Sequence, residues 1–285
     1  MRLSSSLLLL VAAMCGAASV RAAETPFDAL VAAERAFAVA AQRDLNRAFV
    51  DAAGEHGVVF RPDPVRAADI YGNAPPAEYR LEWAPAQAEI APSGDLGYTF
   101  GPFVYTAATG VGHGHYFSVW ARDRREDFHF VSDIGVSHAA VPMPADVIRR
   151  GARADSASTL GRSERDERMD ALRELDSALI GRLRRESPAA VYASVGADDL
   201  VLLRDNSLPL SAPFDDAALR ATDLGDAVQI NAAERISADG TLASTHAAPA
   251  DGRGARWVRV WRYGADGWKL AVDLTLPASP APGGE

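Results

Sequence analysis

Three side chains of the sequence are candidates for acid–base chemistry: Glu34, His115 and Asp133. Glu34 lies four residues after Leu30 and three before Phe37, which places an acid on the apolar face of a predicted helix. Asp133 lies within a predicted apolar strand. A carboxyl group in apolar surroundings keeps its proton to a higher pH and can act as a general base near neutrality, where imidazole also titrates. These three residues are therefore our candidate catalytic residues.

For Glu34 and Asp133 the alternative is a structural role. For His115 the alternative is a plain surface or hydrogen-bonded histidine. A charge in a dry interior is costly when it has no partner. Arg61 and Arg204 each follow an apolar strand, and Asp176 repeats the position of Glu34 on a later helix. The sequence therefore predicts two ion pairs, Glu34–Arg61 and Asp176–Arg204, as parts of the fold.

The pair His113-Gly114-His115 raises the question of a metal site. On a strand such a pair projects to one side, and His129 or Asp133 could supply the third ligand that zinc or iron requires. However, His113 lies in a glycine-rich turn, and no downstream glutamate has a suitable spacing. We expect no metal, no other cofactor, and two solvated histidines near a loop.

Aromatic residues of the first half are expected to line an apolar pocket that His115 gates. His115 shares one strand face with Phe117 and Val119, and we expect this face to be the inner one. Tyr116 and Trp120 lie on the opposite face, which we expect to be covered by the other half of the chain. The predicted ligand-binding residues are Phe37, Trp83, Tyr98, Phe100, Tyr105 and Phe117.

The elements that position these residues occur twice, about 140 residues apart. Three matched blocks of strand-like sequence keep the same order in both halves, and the first helices also align. The blocks are Val58–Arg61 with Val201–Arg204, Tyr116–Trp120 with Trp257–Trp261, and Phe128–Ile134 with Trp268–Leu274. We interpret this pattern as a tandem duplication.

Each half begins with helices and continues with strands, which predicts an α+β fold rather than alternating α/β units. Capping boxes at Thr25–Asp28 and Ser163–Asp166 mark the predicted starts of the first helix in each half. The predicted domains are 24–138 and 163–276, joined by a linker at 139–162 and followed by a disordered tail at 277–285.

Residues 1–22 have the layout of a secretory signal peptide: Arg2, an apolar run from Leu7 to Met14, and Val20-Arg21-Ala22 as a cleavage site. This predicts a periplasmic or secreted protein with no membrane attachment after cleavage. The only cysteine, Cys15, would be removed, which excludes disulfides and thiol chemistry. The net charge of −9 argues against a nucleic-acid partner.

Several blocks of the first half resemble the nuclear-transport-factor-2-like (NTF2-like) superfamily, in its secreted SnoaL-like and DUF4440-type branch. The resemblance implies two tandem cone domains, each with helices packed in a strongly bent antiparallel sheet, and dimer-like pairing of the two within one chain. The second half departs from the pattern between Asp205 and Arg235, so we expect it to be degenerate. The blocks are Glu34–Phe37, Val58–Pro62, Gly94–Thr99, Gly114–Trp120 and Asp133–Gly135.

The superfamily includes isomerases, cyclases, dehydratases and proteins that only bind, so the fold does not decide the function. Our leading expectation is a protein that binds a small, mostly apolar molecule in the first half without catalysis. The first alternative is a cofactor-free isomerase, cyclase or dehydratase in which Asp133 or His115 moves a proton and Tyr98 or Tyr105 stabilises an oxyanion. The second alternative is a structural interaction module of the cell envelope.

Overall fold

The computed structural model describes residues 24–123, 125, 127–151, 158–220, 230–249 and 254–278. The predicted signal peptide at 1–22 lies outside these residues, as does the tail from 279 onwards. Among the helices that are described, none has the length and apolar character needed to cross a membrane.

Six helices lie within the described ranges, three in each half. The first begins where its capping box predicts, because the Thr25 side chain accepts from the Asp28 amide and Pro26 occupies the first turn. In the second half the predicted box at Ser163–Asp166 does not form, because the helix begins earlier, with Gly161 at the cap and only the Glu164 side chain accepting from the Gly161 amide at 3.4 Å. The helices are α1 (Pro26–Ala41), α2 (Leu45–Ala53), α3 (Ala67–Tyr71), α4 (Arg162–Arg185), α5 (Pro188–Val195) and α6 (Asp216–Arg220).

The first half forms one mixed sheet, in the order β2-β1-β7-β6-β5-β4-β8, with β3 also paired to β5. Its three long strands are antiparallel neighbours, and β1 pairs in parallel with β7. The strands are β1 (Val58–Phe60), β2 (Pro64–Arg66), β3 (Tyr79–Trp83), β4 (Gln87–Ile90), β5 (Leu96–Ala107), β6 (Gly110–Arg122), β7 (Phe128–Ser137) and β8 (Ile148–Arg149). Strand β8 comes from the segment 139–162, so part of the predicted linker belongs to the first sheet.

The second half repeats these pairings in the order β10-β9-β14-β13-β12-β11. Again the last two long strands form an antiparallel pair, and the strand after the helices runs parallel to the last one. Both closing pairs carry a bulge at the matched positions Val119/Trp120 and Val260/Trp261. The strands are β9 (Gly196–Arg204), β10 (Leu210–Ser211), β11 (Ile230–Ile236), β12 (Leu242–Pro249), β13 (Arg256–Gly264) and β14 (Gly267–Leu276).

A shared apolar core lies between the two sheets and corrects the predicted strand faces. Phe117 and Val119 pack there with Val258 and Val260 of the second half. Tyr116 and Trp120, expected to face the other half, instead pack against the helices of their own half, and Trp257 and Trp261 do the same in theirs. Both faces of these strands are apolar, so their alternation gives two faces but not which one meets the helices.

Polar contacts between the halves surround this shared core. Two turns exchange hydrogen bonds reciprocally: Asp95 accepts from the Ala238 amide at 2.9 Å, and Asp239 accepts from the Ser93 amide at 2.8 Å. Arg262 of the second half donates to Glu89 of the first at 2.7 Å. The two sheets are therefore held by directional contacts as well as by apolar packing.

Candidate functional site

A cavity of about 400 Å³ lies in the first half between the helices and the concave side of the sheet. Phe37 and Phe49 line it from α1 and α2, and Trp83, Tyr105 and Tyr116 line it from the sheet. Clefts of about 520 Å³ and 600 Å³ also occur, one beside α2 and α3 and one between the halves. The 400 Å³ cavity is the one in which an aromatic wall meets the predicted acid Asp133.

The aromatic wall is tightly packed. The ring centroids of Phe37 and Trp83 are 4.8 Å apart, and those of Phe37 and Phe49 are 4.9 Å apart, both in edge-on geometry. Phe49 stacks on Tyr71 at 4.5 Å. Edge-on and offset pairs of this kind are favourable beyond the area they bury. The wall is therefore held by its own contacts, and a bound molecule would meet a preformed apolar surface.

Asp133 is the acid of the cavity. Strand β7 places it opposite Ser118 of β6, and the Ser118 hydroxyl donates to its carboxylate at 2.6 Å. Burial raises the pKa of Asp133 from 3.8 to about 6, while the Ser118 hydrogen bond and the Arg61 charge oppose the rise. This carboxyl group can therefore hold or release a proton just below neutral pH.

Arg61 supplies a positive charge on the same side of the cavity. The parallel pairing of Val59 with Asp133 brings the end of β1 to this position. The Arg61 guanidinium donates to the Tyr71 hydroxyl at 2.6 Å and to the Phe60 carbonyl oxygen at 2.7 Å. Arg61 is thus fixed by two hydrogen bonds and acts on Asp133 through its charge rather than by an ion pair.

Tyr116 adds an aromatic ring to the lining. Its hydroxyl group is buried and does not open onto the cavity, since it lies within reach of Thr99 and of the charge of Glu34. Burial and the nearby Glu34 raise the pKa of Tyr116 well above its usual value. The group therefore stays protonated, and Tyr116 contributes its ring rather than its hydroxyl group to the cavity.

Glu34 is fully buried behind the cavity wall and does not line the cavity. Trp83 donates to it at 2.6 Å and Trp120 at 3.0 Å, and the Thr99 hydroxyl is a third partner. Burial raises the pKa of Glu34 from 4.5 to about 7 in spite of these donors. The predicted Glu34–Arg61 ion pair is wrong, because indole and hydroxyl groups satisfy the acid.

His115 lies on the opposite face of the sheet from the cavity, so the expectation that it gates the pocket is corrected. Its Nδ1 is 2.6 Å from the Nε2 of His138, and its ring lies 6.5 Å from that of Phe100. Burial and the neighbouring His138 lower the pKa of His115 to about 4. Among the described residues, no cluster of histidine and acidic side chains could hold a metal ion.

The six predicted ligand-binding residues divide between the two faces of the sheet. Phe37, Trp83 and Tyr105 line the cavity together. Tyr98, Phe100 and Phe117 lie in the core between the sheets, where Tyr98 donates to Glu89 at 2.7 Å. The cause is that β6 presents the opposite face to the helices from the one predicted. Phe117 points into the core between the sheets, and Tyr98 and Phe100 on the neighbouring strand β5 point the same way.

Sequence reasoning missed Arg61 and Tyr116 as residues of the cavity. Ser118 lies directly opposite Asp133 in the closing strand pair, and side chains two positions apart on a strand share a face. The placement of Asp133 would therefore have put Ser118, and with it Tyr116, on the inner face.

The second half carries an ion network at the corresponding place. Arg259 aligns with Ser118 and contacts Asp176 at 2.5 Å and Asp273 at 3.3 Å. Arg204 contacts Asp273 at 3.0 Å. The predicted Asp176–Arg204 pair is therefore wrong, because each of these residues has another partner.

The pKa values of the two matched aspartates, Asp133 and Asp273, are shifted in opposite directions. Burial alone would raise the pKa of Asp273, but the positive charges of Arg204 and Arg259 hold it well below its usual value. The pKa of Asp133 is instead raised. The second half has thus neutralised its central acid with two guanidinium groups, whereas the first half has not.

Comparison with known proteins gives similarity to solved structures only, since no family model and no curated protein matches the chain. One is a conserved protein from Planctomyces limnophilus, 23% identical over 39% of this chain and 96% of that one, with a TM-score of 0.28. An NTF2-like protein from Cytophaga hutchinsonii is 20% identical over 42% and 100%, with a TM-score of 0.29. An NTF2-like protein of unknown function in nutrient uptake from Rhodospirillum rubrum is 19% identical over 42% and 100%, with a TM-score of 0.25.

Proposed function

We propose that the protein binds a small, mostly apolar molecule in the cavity of its first half. The aromatic wall would hold the apolar body of the molecule, and Asp133 and Arg61 would orient one polar group. Binding sites of this size are commonly apolar with a few convergent polar groups. In this proposal the two halves are NTF2-like cones that pair within one chain, supported by the repeated strand order and the core between the sheets.

The observation that carries the proposal is the difference between Ser118 and Arg259. In the second half, the arginine at this position reaches both central acids and satisfies them. In the first half the small serine leaves Asp133 beside open space, with Ser118 as its hydrogen-bond donor. Buried polar groups favour a hydrogen-bond partner, and a ligand would supply another.

Two experiments test the proposal. Native mass spectrometry of protein purified from its own host should reveal a retained small molecule. In parallel, the neutral fluorescent probe N-phenyl-1-naphthylamine should bind the wild type. Ser118→Arg, which copies the second half, should weaken that binding at least about tenfold, equivalent to about 1.4 kcal/mol.

Val111→Arg is the matched control, because it adds the same charge to the same strand at a side chain that is 61% exposed. It should leave probe binding unchanged. Undiminished binding by a folded Ser118→Arg protein would contradict the cavity as the site. Absence of both a retained molecule and probe binding in the wild type would contradict the binding function itself.

A cofactor-free proton-transfer enzyme is the second candidate function. It is favoured by one juxtaposition: an acid with a pKa of about 6 and Tyr105 line the same cavity. Asp133 would take and return the proton, and Tyr105 would donate to the developing oxyanion. His115 and Tyr98 have no part in this version, since both lie on the other face of the sheet.

The Asp133→Asn variant separates binding from catalysis. With the retained molecule as the test compound, a pure binding protein gives no product with either form. An enzyme gives product with the wild type and loses it in Asp133→Asn, while the compound still binds.

We extend the proposal to location, and place the protein outside the cytoplasm. The supporting feature is the pattern of a positive start, an apolar run and small residues within residues 1–22. The protein recovered from its host should have an amino terminus near Ala23. An intact Met1 on the recovered protein would contradict export by cleavage.

A further inference from the structure

One wall of the first-half cavity is touched by the second half of the chain. Leu276, the last residue of β14, lines the cavity together with Phe60 and Arg61. The ring of His246, on β12, lies 5.9 Å from the ring of Phe60 in edge-on geometry. The end of β1, which carries Arg61 into the cavity, therefore rests against the second half.

An ion pair between a buried arginine and a half-exposed aspartate fixes the same place. Arg256 pairs across β13 and β14 with Leu276, and its side chain is only 1% exposed. Its Nε donates to the Asp63 carboxylate at 2.8 Å, and its Nη1 donates to the Gly254 carbonyl oxygen at 2.8 Å. A buried arginine in a fixed orientation anchors its acidic partner strongly, because breaking the pair leaves a charge in the interior.

Asp63 in turn closes the turn that begins with Arg61. The backbone carbonyl oxygen of Asp63 accepts from the Arg61 amide at 3.0 Å. The Arg61 side chain then reaches the Tyr71 hydroxyl, and its charge acts on Asp133. A chain of contacts thus runs from Arg256 through Asp63 to Arg61, whose charge acts on the acid of the cavity.

We propose that Arg256 is a positioning residue of the first-half cavity, holding Arg61 beside Asp133 through Asp63. The second half is then a working part of the binding site. The effect expected on ligand affinity rests on the proposed function. The effect on Asp133 does not, because it is a property of the protein without ligand.

The test compares Asp63→Asn with Asp199→Asn. Asp199 is a matched control: it also pairs across the two halves with a buried arginine, Arg150, and both aspartates have side chains that are 47% exposed. Neither Asp199 nor Arg150 lines the cavity. The first readout is the pKa of Asp133 in a ¹³C-carboxyl NMR titration, with its signal assigned by its absence from Asp133→Asn.

Asp63→Asn should raise the pKa of Asp133, because the favourable Arg61 charge moves away, and should weaken N-phenyl-1-naphthylamine binding several-fold. Asp199→Asn should change neither value. The conservative variant Asp63→Glu keeps the negative charge, so it should leave the pKa of Asp133 and the binding of the probe at their wild-type values. Loss of Arg256's acidic partner could unfold the protein, so Asp63→Asn combined with Arg256→Gln removes both charges and should shift Asp133 in the same direction.

An unchanged pKa of Asp133 in folded Asp63→Asn and in the folded Asp63→Asn, Arg256→Gln double variant would overturn the proposal. An equal shift in Asp199→Asn would also overturn it, because the effect would then come from loosening the two halves in general. If the wild type binds no probe while Asp63→Asn shifts the Asp133 titration, the positioning role stands and the proposed binding function fails.

Discussion

Replacing Glu34 with glutamine should change how the stability of the protein depends on pH. Burial raises the pKa of this carboxyl group from 4.5 to about 7. Between these pH values the folded protein binds the proton more tightly than the unfolded chain does. The stabilisation is therefore complete below pH 4.5, falls as pH rises, and is lost above about pH 7.

The size of the effect follows from the shift. Each pKa unit corresponds to about 1.4 kcal/mol, so the whole window is worth about 3 kcal/mol. Between pH 5 and pH 8 the wild type should lose roughly 2 kcal/mol relative to Glu34→Gln, because part of the window lies below pH 5. The amide can accept from Trp83 and donate to Thr99, but its NH2 group cannot accept from Trp120; the cost of this lost hydrogen bond does not change with pH and shifts the difference by a constant.

Urea unfolding at pH 5, 6, 7 and 8 measures this difference, with tryptophan fluorescence as the signal. Taking the difference between wild type and variant cancels the titration of the groups that do not interact with Glu34; the charge of Asp133 acts on Glu34, so its contribution is separated by repeating the comparison in the Asp133→Asn background. Glu82→Gln is the control, because it removes the same charge from a side chain that is 54% exposed. A wild-type-minus-Glu34→Gln difference that stays constant with pH, or grows as pH rises, would refute the assignment of Glu34 as a buried acid of raised pKa.

Three further predictions concern the two halves separately. Asp273→Asn should destabilise the protein by about 3–5 kcal/mol near pH 7, since two buried guanidinium groups lose an acidic partner. Because the pKa of Asp273 is depressed in the folded protein, this cost should shrink only below pH 3.8. Urea unfolding at pH 3 and pH 7 measures the difference. Arg61→Gln should raise the pKa of Asp133 above about 6 in a carboxyl NMR titration, and a lower value would contradict the favourable charge of Arg61. Phe117→Ala should cost about 3–5 kcal/mol in urea unfolding yet keep probe binding, whereas Tyr105→Ala should weaken the binding.

The order of elements was predictable from sequence because local signals agreed with the pattern of both halves. Thr25 and Asp28 mark the start of α1, and the capping box forms as expected. The closing strand pair could be recognised in each half from its aromatic and β-branched residues, and the structure shows the same pairings and the same bulge in both. Helix-first, strand-later order then gives an α+β fold without any knowledge of tertiary contacts.

The orientation of the long strands was not predictable in the same way. Strand β6 has Phe117 and Val119 on one face and Tyr116 and Trp120 on the other, and every one of these side chains is buried. Where both faces are apolar, alternation identifies two faces and leaves open which of them meets the helices. Reversing that one choice moved Tyr98, Phe100, Phe117 and His115 together from the cavity to the core between the sheets.

The partners of the buried charges were only partly readable from the chain. An acid on an apolar helix face requires satisfaction, and that inference was sound for both Glu34 and Asp176. That inference did not identify which kind of group would be the partner of each acid. Indole donors satisfy Glu34 without a full opposite charge, and they come from residues that the sequence suggested as lining or interface groups.

The different surroundings of Asp133 and Asp273 give a physical reason why the two halves of the chain would have different roles. Arg259 contacts Asp176 and Asp273 at once. Removing either acid would leave a guanidinium group partly unpaired in the interior, so none of these side chains can be replaced alone without loss of stability. The first half has Ser118 at the same position, and its acid and tyrosine border open space. Under the proposed binding function, replacing a few side chains of the first half would change what it binds, because the second half supplies a stable support against which Phe60 and Asp63 rest.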